Sequence, residues 1–168
     1  MTQRRNLVLA VALVAILPGL APAEAAQTAP APLAARPGWV VTPTPHKFST
    51  LVQRLEEAVK ANNMGLVNFA SASEGAKAQG FTIPGNRVVG VFRNDFARRV
   101  LAASIPAGIE APIRFYLTEN ADGSATLSYR TPSAVFEPYL AGAGADLPKI
   151  ANELDPIFAT IAAAAVRP

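Results

Sequence analysis

Residues Ile113–Arg130 read IRFYLTENADGSATLSYR, two runs of strict alternation around a turn. Ile113, Phe115 and Leu117 alternate with Arg114, Tyr116 and Thr118, and Ala125, Leu127 and Tyr129 alternate with Thr126, Ser128 and Arg130. Each run therefore has one apolar face and reads as a strand of a hairpin. A three-residue loop, Ala121-Asp122-Gly123 with Gly123 in the left-handed conformation, sets Leu117 opposite Leu127 and Phe115 opposite Tyr129. A slip of one residue would oppose apolar with polar side chains. The same register stands Arg114 across from Arg130 on the polar face, with Tyr116 beside them. Like charges so placed destabilise a sheet unless an anion or carboxylate lies between them. Glu137, Glu110, Glu119 or an acid from a partner subunit would serve. So would a small anionic ligand, with Arg114, Tyr116 and Arg130 as its binding residues.

Upstream, Trp39–Thr42 reads as a first strand, stopped by Pro43 and Pro45. Thr50 and Gln53 have the spacing of a capping box, and Phe48, Val52, Leu55 and Val59 predict an amphipathic helix over about 48–61. Glu56 and Lys60 form an ion pair on its wet side, and Asn62-Asn63 before Gly65 ends it. A second strand is expected over Leu66–Phe69, a turn or short helix in Ser71–Gly80, and a third strand over Arg87–Phe92. Asn94 or Asp95 caps a helix running to about Ala103, with Phe96, Val100 and Ala103 inward, and Pro106 and Gly108 close that unit.

Downstream of the hairpin, a short helical piece reaches Tyr139, and Leu140–Ala145 reads as a flexible Gly- and Ala-rich linker. Asp146 caps a final helix whose Leu147, Ile150, Leu154, Ile157, Phe158 and Ile161 form one stripe, expected to dock on the domain or on a partner. Pro156 should kink or restart that helix, with Asp155 as a second cap. The order of elements predicts an α+β fold. Its form is a two-layer sandwich, one mostly antiparallel or mixed sheet with helices on one face, plus the extra C-terminal helix.

The first residues carry a different signal. Arg4 and Arg5, an apolar stretch from Leu7 to Leu17, a Pro18-Gly19 break and Ala23-x-Ala25 read as a signal peptide over 1–25, cleaved after Ala25. The apolar stretch has 11 residues, well short of the roughly 20 a membrane-spanning helix needs. No stable membrane insertion is expected after cleavage, and the destination is periplasmic or secreted. Export by the general secretory route is favoured, although Gln3-Arg4-Arg5-Asn6-Leu7-Val8 loosely matches a twin-arginine signal. Residues 26–37 are a Pro/Ala-rich tether, 38–139 the α+β domain, 140–145 the linker and 146–168 the C-terminal helix.

Composition removes several function classes. The chain has 168 residues, 51% hydrophobic and 16% charged, with a formal net charge of +3. Its basic residues are scattered, so there is no stripe to follow a row of phosphates and no nucleic-acid partner is expected. With no Cys and one His, disulfides, thiolate nucleophiles and histidine-rich zinc sites are excluded, and no cofactor or metal is expected. His46, between Pro45 and Lys47, reads as a surface or loop-packing residue. Gly142-Ala143-Gly144-Ala145 lacks the Lys-Ser/Thr ending of a phosphate loop. No serine sits in a Gly-x-Ser-x-Gly elbow. Glu56 and Glu57, adjacent on a helix, diverge by about 100° and read as a solvated face rather than an acid and base.

Between Trp39 and Pro138 the chain resembles the bacterial domain of unknown function 302 family. The carriers are Ala61-Asn62-Asn63-Met64-Gly65, Val89-Gly90-Val91-Phe92-Arg93-Asn94-Asp95, Ile109-Glu110-Ala111-Pro112-Ile113-Arg114 and Tyr129-Arg130-Thr131-Pro132. Relatives usually have Phe-Gly-Asn-Pro where this chain has Phe92-Arg93-Asn94-Asp95, and Asn-Asp-Pro where it has Arg130-Thr131-Pro132. An Asp-His pair common after the family's second strand aligns with Ala70 and Ser71. The resemblance implies an α/β domain, often a homodimer, with no established reaction, and it leaves the final helix outside the matched region. The expected function is a non-catalytic exported module for ligand binding or interaction. The alternative is an enzyme with a carboxylate- or arginine-based site for a small anionic substrate.

Overall fold

The computed structural model describes residues 33–168. The expected signal peptide and most of the tether lie outside the described residues. Five strands form one sheet, β1 (Trp39–Lys47), β2 (Gly65–Ala70), β3 (Asn86–Phe92), β4 (Ile113–Glu119) and β5 (Ser124–Arg130), in the order β1-β5-β4-β3-β2. Every neighbouring pair is antiparallel. The helices are α1 (Phe48–Ala61), α2 (Ala72–Ala78), α3 (Asn94–Ala103), α4 (Pro132–Phe136) and α5 (Asp146–Val166), with 3-10 turns at Pro106–Glu110 and Glu137–Gly142. This is the α+β fold that the order of elements predicts.

The β4–β5 hairpin has the register read from its sequence, Leu117 opposite Leu127 and Phe115 opposite Tyr129. Gly123 has φ +79°, the left-handed region where a side chain is strained. Its N–H donates to the Asn120 carbonyl at 2.9 Å, and the Asp122 carboxylate accepts from the Ser124 N–H at 3.0 Å. Beneath the hairpin Phe115 is fully buried, its ring centroid 5.0 Å from those of both Tyr129 and Phe158. These three rings join the sheet to α5.

Several local expectations need correction. β1 continues through Pro43 and Pro45 to Lys47, with a register shift between Thr44 and Lys47. β1 is an edge strand, whose outward backbone positions have no neighbour to bond, so a missing N–H there costs no ladder bond. Thr50 and Gln53 form no capping box, because α1 already begins at Phe48 with Lys47 at the N-cap. Glu56 pairs not with Lys60 but with Arg87 of β3, at 3.4 Å, and Arg87 also pairs with Glu74 of α2. The cap of α3 is Arg93, one residue before the predicted Asn94 or Asp95.

The final helix is one piece, with Pro156 inside it and Ala145 rather than Asp146 at its N-cap. Asn152, whose carbonyl loses its partner at Pro156, and Pro156 itself are both exposed, so the freed carbonyl faces water and no break is forced. Asp155 is not a second cap. Its carboxylate accepts from the Ser133 N–H at 2.9 Å and ties α5 to the start of α4. Leu147, Ile150, Leu154, Phe158 and Ile161 are all buried, with Ile157 packed at their margin, so the stripe docks on its own domain. Residues 137–142 form a 3-10 turn, and the Gly144 N–H donates to the Ala103 carbonyl at 2.9 Å. At the far end, Arg54 of α1 donates to the carbonyls of Ala165 (2.8 Å), Ala164 (3.3 Å) and Arg167 (2.7 Å). One guanidinium thereby satisfies two of the carbonyls that the C-terminus of α5 leaves unpaired, and one just beyond it.

Candidate functional site

Side chains alternate across a sheet, so a residue's parity decides which face it serves. Phe115, Tyr129 and Val89 share one row and are buried toward the helices. The residues between them serve the second face. One row there runs Ala70, Val88, Tyr116, Ser128 and Val41, and the next runs Asn68, Gly90 and Arg114. Arg130 stands one rung beyond the Phe115–Tyr129 pair, the position across from Arg114, and its other neighbour is Trp39 of β1. Gly90 is required in that row. A Cβ there would stand 1.9 Å from Asn68 Oδ1 and 2.8 Å from Pro112 Cγ.

Arg114, Tyr116 and Arg130 line a single cleft of about 630 Å³, together with Trp39, Asn86 and Glu110. Arg130 is braced by α4, donating to the Ala134 carbonyl at 2.7 Å. Arg114 is 60% exposed and its nearest acid is Glu110, at 3.7 Å. Of the three acids named from sequence, Glu110 alone approaches the arginine pair among the described ion pairs. Glu119 instead accepts from the Gly85 N–H at 2.7 Å. Glu110 is also held by the Tyr139 hydroxyl, which donates to it at 2.7 Å. That bond to the carboxylate, followed by burial, holds the Tyr139 phenol above its usual pKa, while Arg130 acts in the opposite sense. A third guanidinium, that of Arg36, lies over the Trp39 ring at 4.1 Å.

Trp39, Asn86 and Tyr139 were not singled out in the sequence. Once β1 is known to lie beside β5, the pairing of Trp39 with Arg130 follows. Local pattern carries no such signal. His46 lies in β1 with Nε2 2.7 Å from the Arg167 carbonyl, and no group of three or more potential metal ligands occurs among the described residues. Gly142 ends the 3-10 turn at Glu137–Gly142. Glu56 is committed to Arg87 and Glu57 accepts from Gln53 at 2.9 Å, so both serve structure.

The family described as "Domain of unknown function DUF302" matches residues 40–165. The match continues well past Pro138 and takes in nearly all of α5, so the helix expected to lie outside the family's region belongs to it. No curated protein matches the chain. A solved structure described as that of the uncharacterized conserved protein DUF302 from Bacillus stearothermophilus is similar, with a TM-score of 0.66 and 17% identity. The alignment covers 79% of this chain and 100% of that one. At that identity the likeness speaks for the fold.

Proposed function

The chain belongs to the DUF302 family, and from that premise we propose that it is an exported, non-catalytic module that binds a small anion, a carboxylate or phosphate, on the second face of its sheet. The observation that carries this reading is the shared cleft of Arg114, Tyr116 and Arg130. Two guanidiniums on one rung offer paired donors, a tyrosine hydroxyl can add a third, and Glu110 is the one carboxylate residue in the lining. Ala70 lines the same cleft. It stands where the family resemblance puts the first residue of an Asp-His pair, and a methyl group there neither gives nor takes a proton. That favours binding over catalysis.

Phosphate at about a hundred times its Kd should stabilise the folded protein by about 2.7 kcal/mol. Arg114→Ala should lose that gain while costing almost nothing in phosphate-free buffer, because its one ion pair among the described residues is long and its own side chain is exposed. Arg130→Ala should lose the gain as well, with about 1 kcal/mol of basal stability from the bond to Ala134. Thermal unfolding with and without phosphate decides the matter. Equal phosphate stabilisation in wild type and both variants would remove the ligand reading.

Export to the periplasm and homodimer formation belong to the same proposal. The signal-like first 25 residues support the former. The latter is supported by the family resemblance and by a sheet face away from the long helices, where a second copy would find apolar Val41 and Val88 beside the cleft. Native mass spectrometry of protein recovered from the periplasm should show Ala26 as the first residue, a dimer mass, and any retained anion. A full-length chain in washed membranes would overturn export, and a monomer at micromolar concentration would overturn the dimer.

A further inference from the structure

A second cavity, of about 310 Å³, opens between α3, the end of β3, the 3-10 turn at Pro106–Glu110 and α5. Its floor is core, with Met64, Val91, Phe96 and Phe158 all buried. Asn94, Ala97, Arg98 and Leu101 line it at helical spacing, so one face of α3 forms a wall. Leu101, half exposed, reaches across to the opposite wall, where a Cβ on Gly108 would come within 2.6 Å of its Cδ2. Without a side chain at Gly108 the leucine can lie over the rim.

The polar side chains of the lining are Arg93, Asn94 and Arg98, and no carboxylate is among them. The charge of Arg93 is met by Asp95 at 2.8 Å, and neighbouring Arg99 is met by Glu153 at 2.7 Å. Arg98 has no ion pair among the described residues. An exposed guanidinium without an ion pair thus stands at the rim of a mostly apolar cavity that opens to solvent. We propose that this cavity binds an aliphatic monocarboxylate of medium chain length. The chain lies among Met64, Val91 and Phe96, and the carboxylate meets Arg98. The volume has room for about ten groups the size of a water molecule or methylene, which sets the chain at about eight to ten carbons. Mostly apolar walls with a few placed polar groups are the usual composition of a small-molecule site.

Calorimetric titration of the intact protein with butanoate, hexanoate, octanoate and decanoate tests this. Affinity should rise about fourfold for each methylene added and level off once the cavity is full. Arg98→Gln should weaken octanoate several-fold while leaving octan-1-ol unchanged. Ala97→Phe, which projects a ring into the cavity, should abolish binding of both. Arg98→Gln should leave the phosphate-induced stabilisation of the cleft at the wild-type value, since Arg98 does not line it, so this site and the cleft stand or fall separately. Affinity independent of chain length, or octanoate binding unaltered by Arg98→Gln, would overturn the proposal. Those two measurements still decide if Ala97→Phe does not fold.

Discussion

Ending the chain before Asp146 is expected to abolish cooperative folding of the domain. Leu147, Ile150, Leu154, Phe158 and Ile161 are each no more than 4% exposed, and fully burying such a side chain contributes about 1.5–3 kcal/mol. Five of them together rival the whole stability of a typical domain, about 5–15 kcal/mol. Removing α5 would also strip one side from Phe115, leave Arg54 without its carbonyls and free Arg99 from Glu153. Near-UV circular dichroism and urea unfolding of the shortened chain check this. A truncated protein with the wild-type urea midpoint would contradict it.

Phe115→Ala should be the most damaging single substitution in the sheet, costing about 3–5 kcal/mol. The ring is fully buried at the centre of the Tyr129–Phe115–Phe158 cluster, so its removal leaves a cavity that strands on one side and a helix on the other cannot both close. Tyr116→Phe, the next residue on the same strand but on the second face, should change stability by less than about 0.5 kcal/mol. Urea midpoints of the two variants measure the contrast. Similar losses for both would mean that the two faces do not differ as described.

The hairpin was legible because two constraints agreed, a period of two on both strands and a turn that fixes their register. The α5 stripe was legible for a similar reason, since its helical period survives the proline. Other features depend on neighbours that local sequence does not name. Pro43 and Pro45 end a strand in most settings, and only the edge position of β1 lets them remain in one. Thr50 and Gln53 have the spacing of a cap but lie inside a helix that already starts at Phe48. Glu56 had a suitable Lys60 four residues on, yet Arg87 reaches it from another element. At the cleft, Arg114, Tyr116 and Arg130 could be grouped because they share one hairpin. Trp39 and Asn86 could not, because strand order brings them there.

The two margins of the sheet differ in a way that limits how copies can join. β1 carries two prolines, whose missing N–H groups leave it a poor template for another strand. β2, GLVNFA, has neither proline nor charge, and its Val67 and Phe69 are 52% and 66% exposed. A ribbon that can grow from one side alone cannot polymerise. If β2 of one molecule paired with β2 of another, the junction would consume both receptive margins and leave two blunt ones outside. Growth by strand addition therefore terminates at two copies, and fibre formation would require first unpicking the prolines of β1.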